Sequence, residues 1–204
     1  MFLTERGVKF HRVEVEMASK EHQRAPYTTE VNPNATVPAM FDADVHLGDS
    51  LAIMSYIDAH ASGNRLFPDD GEKLAEILSW IERADTDFWD VSHHLYWQII
   101  EPPTGGADET EIARLLAKGH ALLTQLDYVL ANQPYITGDS LTAADIAVFP
   151  WVYGYKRFDL FDNETAYSHV RAWRDSLIAR KSFTLNYKVP GEALSEFLAR
   201  FVVR

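Results

Sequence analysis

A chain of 204 residues has room for one large domain or two small ones. Its 47% apolar and 24% charged residues are those of a globular fold, and no apolar run approaches the ~20 residues of a membrane span. A net charge of −11 excludes a phosphate-backbone binder, hence nucleic acid as a partner, and the absence of cysteine excludes disulfides, thiolate metal sites and a catalytic thiol of the chain's own. The N-terminal MFLTERGVKF lacks the basic and then apolar layout of a secretory signal, so the cytoplasm is the expected compartment.

Val8 to Val15 alternates apolar and polar residues, which predicts a half-buried strand. Glu21 to Glu30 is polar and reads as a short helix or a loop, and Asn32-Pro33-Asn34 is turn chemistry. Two short apolar runs, Val37 to Phe41 and Val45 to Leu47, flank Asp42-Ala43-Asp44 and predict a hairpin. From Ser50 the spacing of Leu51, Ile53, Met54 and Ile57 is helical.

The composition then shifts. Ser62 to Lys73 concentrates Gly, Pro, Asn and Asp and reads as a linker. The expected division is an α/β domain over 1–64, a linker over 65–73 and an all-helical domain over 74–204. Within the last, helices are expected over Leu74 to Ile100, Glu109 to Leu130, Thr142 to about Phe158 and Glu164 to Ala179, with an amphipathic segment from Ala193 to Val202.

Four places carry chemistry. Thr142 and Asp145 are spaced as a capping box, flanked by Leu141 and Ile146 as a hydrophobic staple, and are structural. Pro38 interrupts a strand. A trans bond makes it an ordinary edge residue, whereas a cis bond frees the Val37 backbone to pair with an extended peptide ligand. Asp49-Ser50 opens a helix. It is either a plain cap or a zwitterion site, with the Ser50 hydroxyl and helix N–H groups on a carboxylate and Asp49 on an ammonium. On the long helix, at about 100° per residue, Trp89, His93 and Trp97 share one face. They are core aromatics or one wall of a substrate pocket, with Tyr155 as a further wall residue. His93-His94 does not make a metal site, because adjacent helical residues diverge.

The motifs agree in order and spacing with one family. Asn32 to Met40 resembles the NP-x-x-x-VPAL segment of the cytosolic glutathione S-transferases, and Asp49 to Ile53 resembles their E/D-S-x-A-I segment. Leu66-Phe67-Pro68 is similar to the family's linker, and Leu141 to Pro150 to its capping box and staple. The resemblance implies a thioredoxin-like domain followed by a helical bundle, usually in a homodimer. It implies a cis Pro38, Val37 pairing with the glutathione backbone, and Asp49 and Ser50 on the γ-glutamyl group, with Thr36 and Gln23 toward the glycyl end. It also implies that the first strand, and the loop carrying the thiol-activating Ser, Tyr or Cys, precede Met1, so the catalytic residue is unknown and the α/β domain is expected to be truncated at its start. The activity implied is transfer of the glutathione thiolate, as co-substrate, to a small hydrophobic electrophile. The alternative is a non-catalytic protein that uses the same fold to hold a ligand or partner.

Overall fold

The computed structural model describes residues 1–158, 160–161, 165–187 and 192–193. The chain divides into two compact units, one of Met1–Arg65 with the segment from Lys181 onward, the other of Leu66–Arg180.

In the first unit a short helix α1 (Phe2–Glu5) leads to strand β1 (Val13–Glu14). The alternation from Val8 to Val15 predicts a longer strand than this. Among the described residues β1 pairs, in parallel, with β4 (Glu192–Ala193), and Phe10 within the expected strand is 44% exposed. Alternation reports which face a segment can bury and does not by itself supply a partner strand. Glu21–Gln23 forms a 3-10 turn and Tyr27–Val31 a wider π turn. Strands β2 (Met40–Asp42) and β3 (Val45–Leu47) then form the expected antiparallel hairpin, with Met40 opposite Leu47 and Asp42 opposite Val45. Helix α2 (Ser50–His60) follows, burying Ile53, Met54 and Ile57, and α8 (Lys181–Tyr187) packs beside α1. Arg6 sits at the end of α1 and closes α2. Its Nη2 donates to the carbonyls of Asp58 (3.2 Å) and Ala61 (2.7 Å), and its Nη1 to that of Asn64. The Asp58 and Ala61 carbonyls are among those a helix C-terminus leaves without intrahelical partners, and Asn64 lies in the loop beyond.

The second unit opens with Leu66 and Phe67 buried, the Leu66 carbonyl accepting from the Ala143 amide at 3.0 Å. Asp70 caps α3 (Gly71–Arg83) by accepting from Lys73 N at 2.9 Å. The helical path then continues through a π turn (Ala84–Phe88), α4 (Trp89–Leu95) and a second π turn (Tyr96–Ile100). Asp108 caps α5 (Glu109–Leu130), which buries Leu115, Leu122, Leu123, Leu126 and Leu130 at helical spacing. Helix α6 (Ala143–Gly154), almost wholly apolar, is the centre of this unit and packs against α3 and α7 (Ser168–Ile178). Glu164 lies outside the described residues; α7 starts at Ser168 because Tyr167 takes a left-handed conformation (φ 54°) that no α-helix contains. The segment expected as amphipathic, Ala193 to Val202, lies outside the described residues except for Ala193 in β4. Among the described residues no helix is long and apolar enough to cross a membrane.

The capping box forms as its spacing predicts. Asp145 Oδ2 accepts from Thr142 N (2.9 Å) and Thr142 Oγ1 (3.1 Å), while Oδ1 accepts from Ile136 N and Trp173 Nε1, both at 2.9 Å. One carboxylate thus joins the start of α6, the loop before it and α7. Burial pushes this carboxyl up, and the four hydrogen bonds pull it down.

Gly119 marks the tightest approach of α5 to its neighbours. A Cβ there would lie 2.9 Å from Leu160 Cδ1 and 3.3 Å from Val91 Cγ1, and both of those side chains are fully buried. Overpacking costs about 1–3 kcal/mol, whereas alanine gains about 1 kcal/mol over glycine in a helix. Gly119→Ala is therefore expected to lose about 1 kcal/mol net. Urea unfolding measures it; a stabilised variant would show that Leu160 can move aside.

Candidate functional site

The hairpin brings two separate pieces of sequence together. Its partners run Met40 with Leu47, Phe41 with His46 and Asp42 with Val45. Beyond this ladder one leg leads back to Pro38 and Val37, and the other leads on through Gly48 to Asp49 and Ser50. The Val37–Pro38 bond is cis. Val37 is exposed, and among the described residues its N–H and C=O make no backbone hydrogen bond. On the opposite leg, Asp49 is the N-cap of α2, its Oδ1 accepting from Ala52 N at 2.9 Å. Ser50 is the first residue of the helix, half-buried, where N–H groups lack intrahelical partners and the helix dipole is positive. One leg thus leads to a bare peptide edge, and the other to an anion-seeking helix end with a carboxylate beside it.

What holds the two legs is Asn32, a buried residue that the sequence marks only as a turn former. Its Nδ2 donates to the Thr36 carbonyl (2.8 Å) and to Thr36 Oγ1 (3.1 Å), while its Oδ1 accepts from Asn34 N (3.1 Å). The Thr36 carbonyl also accepts from Tyr27 Oη at 2.6 Å, and Tyr27, fully buried, packs against Val13, Val15 and Val31. Asn32 lies against the other leg as well: a Cβ on Gly48 would come within 2.6 Å of its Nδ2. One amide therefore locks Thr36 just before Val37 and fills the space over Gly48 just before Asp49. Burial pushes the Tyr27 phenol up, so it stays a donor at neutral pH.

Beside Val37 and Pro38 opens a cavity of about 760 Å³, walled also by Val8, Val13, Tyr27 and Ile57. Thr36 and Gln23 are exposed and outside its lining.

The second unit has its own, smaller cavity of about 360 Å³, lined by α4, the following π turn and the end of α6. Trp89 and His93 line it, stacked at 4.4 Å with ring planes 14° apart. Burial, and then the nearby His94, hold the His93 imidazole below its ordinary range. Tyr96 and Trp151 complete the aromatic wall. Two residues expected in this wall are elsewhere. Trp97 is 46% exposed and absent from the lining, although its ring meets that of His93 edge-on at 6.2 Å, as the helical spacing reads. Tyr155 is 0% exposed in the core, stacked on Phe88 with its hydroxyl donating to the Phe88 carbonyl at 3.3 Å. Among the described residues no cluster of three His, Asp or Glu is arranged to hold a metal ion.

The family model for the glutathione S-transferase N-terminal domain matches residues 1–60, and that for the C-terminal domain matches residues 88–181. A glutathione S-transferase of Hyoscyamus muticus is 33% identical over 196 residues, covering 91% of this chain and 90% of the relative. The chain belongs to the glutathione S-transferase family. Solved structures agree. A theta class glutathione S-transferase of Xanthomonas axonopodis pv. citri, with glutathione bound, superposes with a TM-score of 0.76 at 26% identity, covering 93% of this chain and 89% of that one. Glutathione S-transferase-I, bound with lactoylglutathione, gives 0.73 at 27% identity, covering 90% and 88%. The expected fold class therefore holds: a thioredoxin-like first unit and a helical second one, as in other glutathione S-transferases. At the level of the family the chain is a transferase.

Proposed function

We propose that the chain binds glutathione as co-substrate along the Val37 edge and the start of α2, and transfers its sulfur to a small hydrophobic electrophile. The observation that supports this most directly is Asn32, which bonds Thr36 just before Val37 and lies against Gly48 just before Asp49. In this reading the Val37 N–H and C=O pair with the peptide backbone of glutathione as a short added strand, with Pro38 beside them. The Ser50 hydroxyl and the first N–H groups of α2 take the γ-glutamyl carboxylate, and Asp49 takes its ammonium. Thr36 and Gln23 lie toward the glycyl end. Trp89 and His93 contact the electrophile. The thiolate attacks an electrophilic carbon, a carbon–sulfur bond forms, and the leaving group departs with the electron pair. A homodimer in the cytoplasm is part of the same proposal and rests on likeness to the family.

Calorimetry on the full chain tests the binding half. Glutathione heat is expected for the parent, and an affinity more than about tenfold lower for Ser50→Ala, which loses a hydrogen bond to a charged group. Gly48→Ala, which must displace Asn32, is expected to act in the same direction without touching the ligand. No heat from the parent, or variants equal to it, would sink the reading. A conjugation assay with a chlorodinitrobenzene tests the chemical half. Binding without turnover would favour a ligand-holding protein.

A further inference from the structure

We infer that the cavity of the second unit selects a flat aromatic ligand carrying an acidic group, so that the electrophile is an anionic aromatic such as a carboxylated ring. The inference deepens the assignment of this cavity to the electrophile and rests on it. Its size suits a fused or substituted ring, and its walls are Trp89, Tyr96 and Trp151 with the His93 ring stacked on Trp89. Aromatic walls alone would take any flat apolar molecule. The charges narrow the choice.

In a chain of net charge −11, no Asp or Glu among the described residues lines this cavity, while Arg157 does. Among the described residues Arg157 forms no ion pair. Three described acids close in sequence to the α4 side of the lining are engaged elsewhere. Asp87 and Asp90 each lie 3.0 Å from Lys118 Nζ, Asp90 is also 3.0 Å from His94 Nδ1, and Glu101 accepts from the Tyr96 hydroxyl. The His93 imidazole is held below its ordinary range, and among the described lining residues the guanidinium of Arg157 supplies the positive charge. A planar guanidinium at the rim of an aromatic slot matches a carboxylate on a ring through paired N–H donors.

A second polar group points the same way. Ser92 lines the cavity, and its Oγ is buried without a hydrogen-bond partner. Buried hydroxyls are ordinarily paired, so an unpaired one on a cavity wall is a place for a ligand's oxygen.

The test is a matched pair of probes, a naphthoate and its neutral naphthamide, titrated into the full chain without glutathione and followed by tryptophan quenching. The naphthoate is expected to bind about tenfold more tightly. Arg157→Gln is expected to erase that preference, whereas Lys156→Gln, one residue away and outside the lining, keeps it. Ser92→Ala is expected to weaken the naphthoate by about threefold or more. Equal binding of the two probes to the parent, no binding of either, or a preference that survives Arg157→Gln would overturn the inference. Glutathione heat on the same samples separates the two claims: a chain that binds glutathione but shows no preference for the anion keeps the transferase reading and loses this one.

Discussion

Asp145→Ala is expected to lower the unfolding free energy by about 3–5 kcal/mol, because it strips partners from three buried donors at about 1–3 kcal/mol each, with partial relaxation. The three are the amides of Ile136 and Thr142 and the indole N–H of Trp173. Thr142 Oγ1 is spared, since Thr137 Oγ1 lies 2.9 Å from it. The loss exceeds the ~1 kcal/mol of an ordinary capping residue because the carboxylate serves three elements at once. Asp145→Asn divides the effect. With its oxygen toward Ile136 and Trp173 it keeps two bonds and turns an NH₂ against the Thr142 amide, so about half of the loss is expected. Urea unfolding followed by tryptophan fluorescence reads both, the alanine midpoint falling by more than about 1 M. A loss below about 1 kcal/mol would mean that water reaches these donors.

The second large effect belongs to Arg6. Its side chain is 1% exposed and Asp58 is 0% exposed, with Arg6 Nε 2.8 Å from Asp58 Oδ1, a charge contact outside hydrogen-bond alignment. Arg65 reaches the other carboxylate oxygen at 3.1 Å but is itself 42% exposed. Arg6→Ala leaves a buried carboxylate with one half-solvated partner and uncaps the end of α2, so a loss of about 3–5 kcal/mol is expected. Arg6→Lys is expected to recover little of it, because a point ammonium cannot serve three carbonyls and a carboxylate together. Asp58→Asn is expected to cost less than Arg6→Ala, since the carbonyl contacts of Arg6 survive. Thermal unfolding of the three variants orders them. If Asp58→Asn proved as damaging as Arg6→Ala, the charge pair would outweigh the cap.

Features written in adjacent residues were legible in the sequence. The Thr142–Asp145 box, the hairpin around Asp42-Ala43-Asp44 and the leucine ladder of α5 each depend on spacing within a few turns, and each forms as read. The cis Val37–Pro38 bond, by contrast, came from family likeness and not from the residue pattern. Features that depend on distant partners were not legible. β1 pairs with β4, a partner far along the chain that no local pattern announces. Trp97 meets His93 as the spacing reads, and only the folded unit shows that it stays outside the cavity lining. Tyr155 reads as a wall residue and is core, because nothing local says that Phe88 lies over it. Asn32 reads as a turn residue, and its grip on Thr36 and Gly48 appears only once the hairpin has folded back.

The hairpin also sets which changes of length the first unit can absorb. Equal numbers of residues separate Val37 and Ser50 from the Ala43–Asp44 tip, and the ladder between Met40–Asp42 and Val45–Leu47 fixes how the two legs start. Residues added at the tip leave both legs paired as before, and surface turns accept such additions at small entropic cost. A single residue added between Pro38 and Met40, or between Leu47 and Asp49, carries one leg a step past the other and reverses the direction in which its side chains point. Across relatives with the same pocket, variation in length therefore belongs at the tip, and the two arms keep a common count.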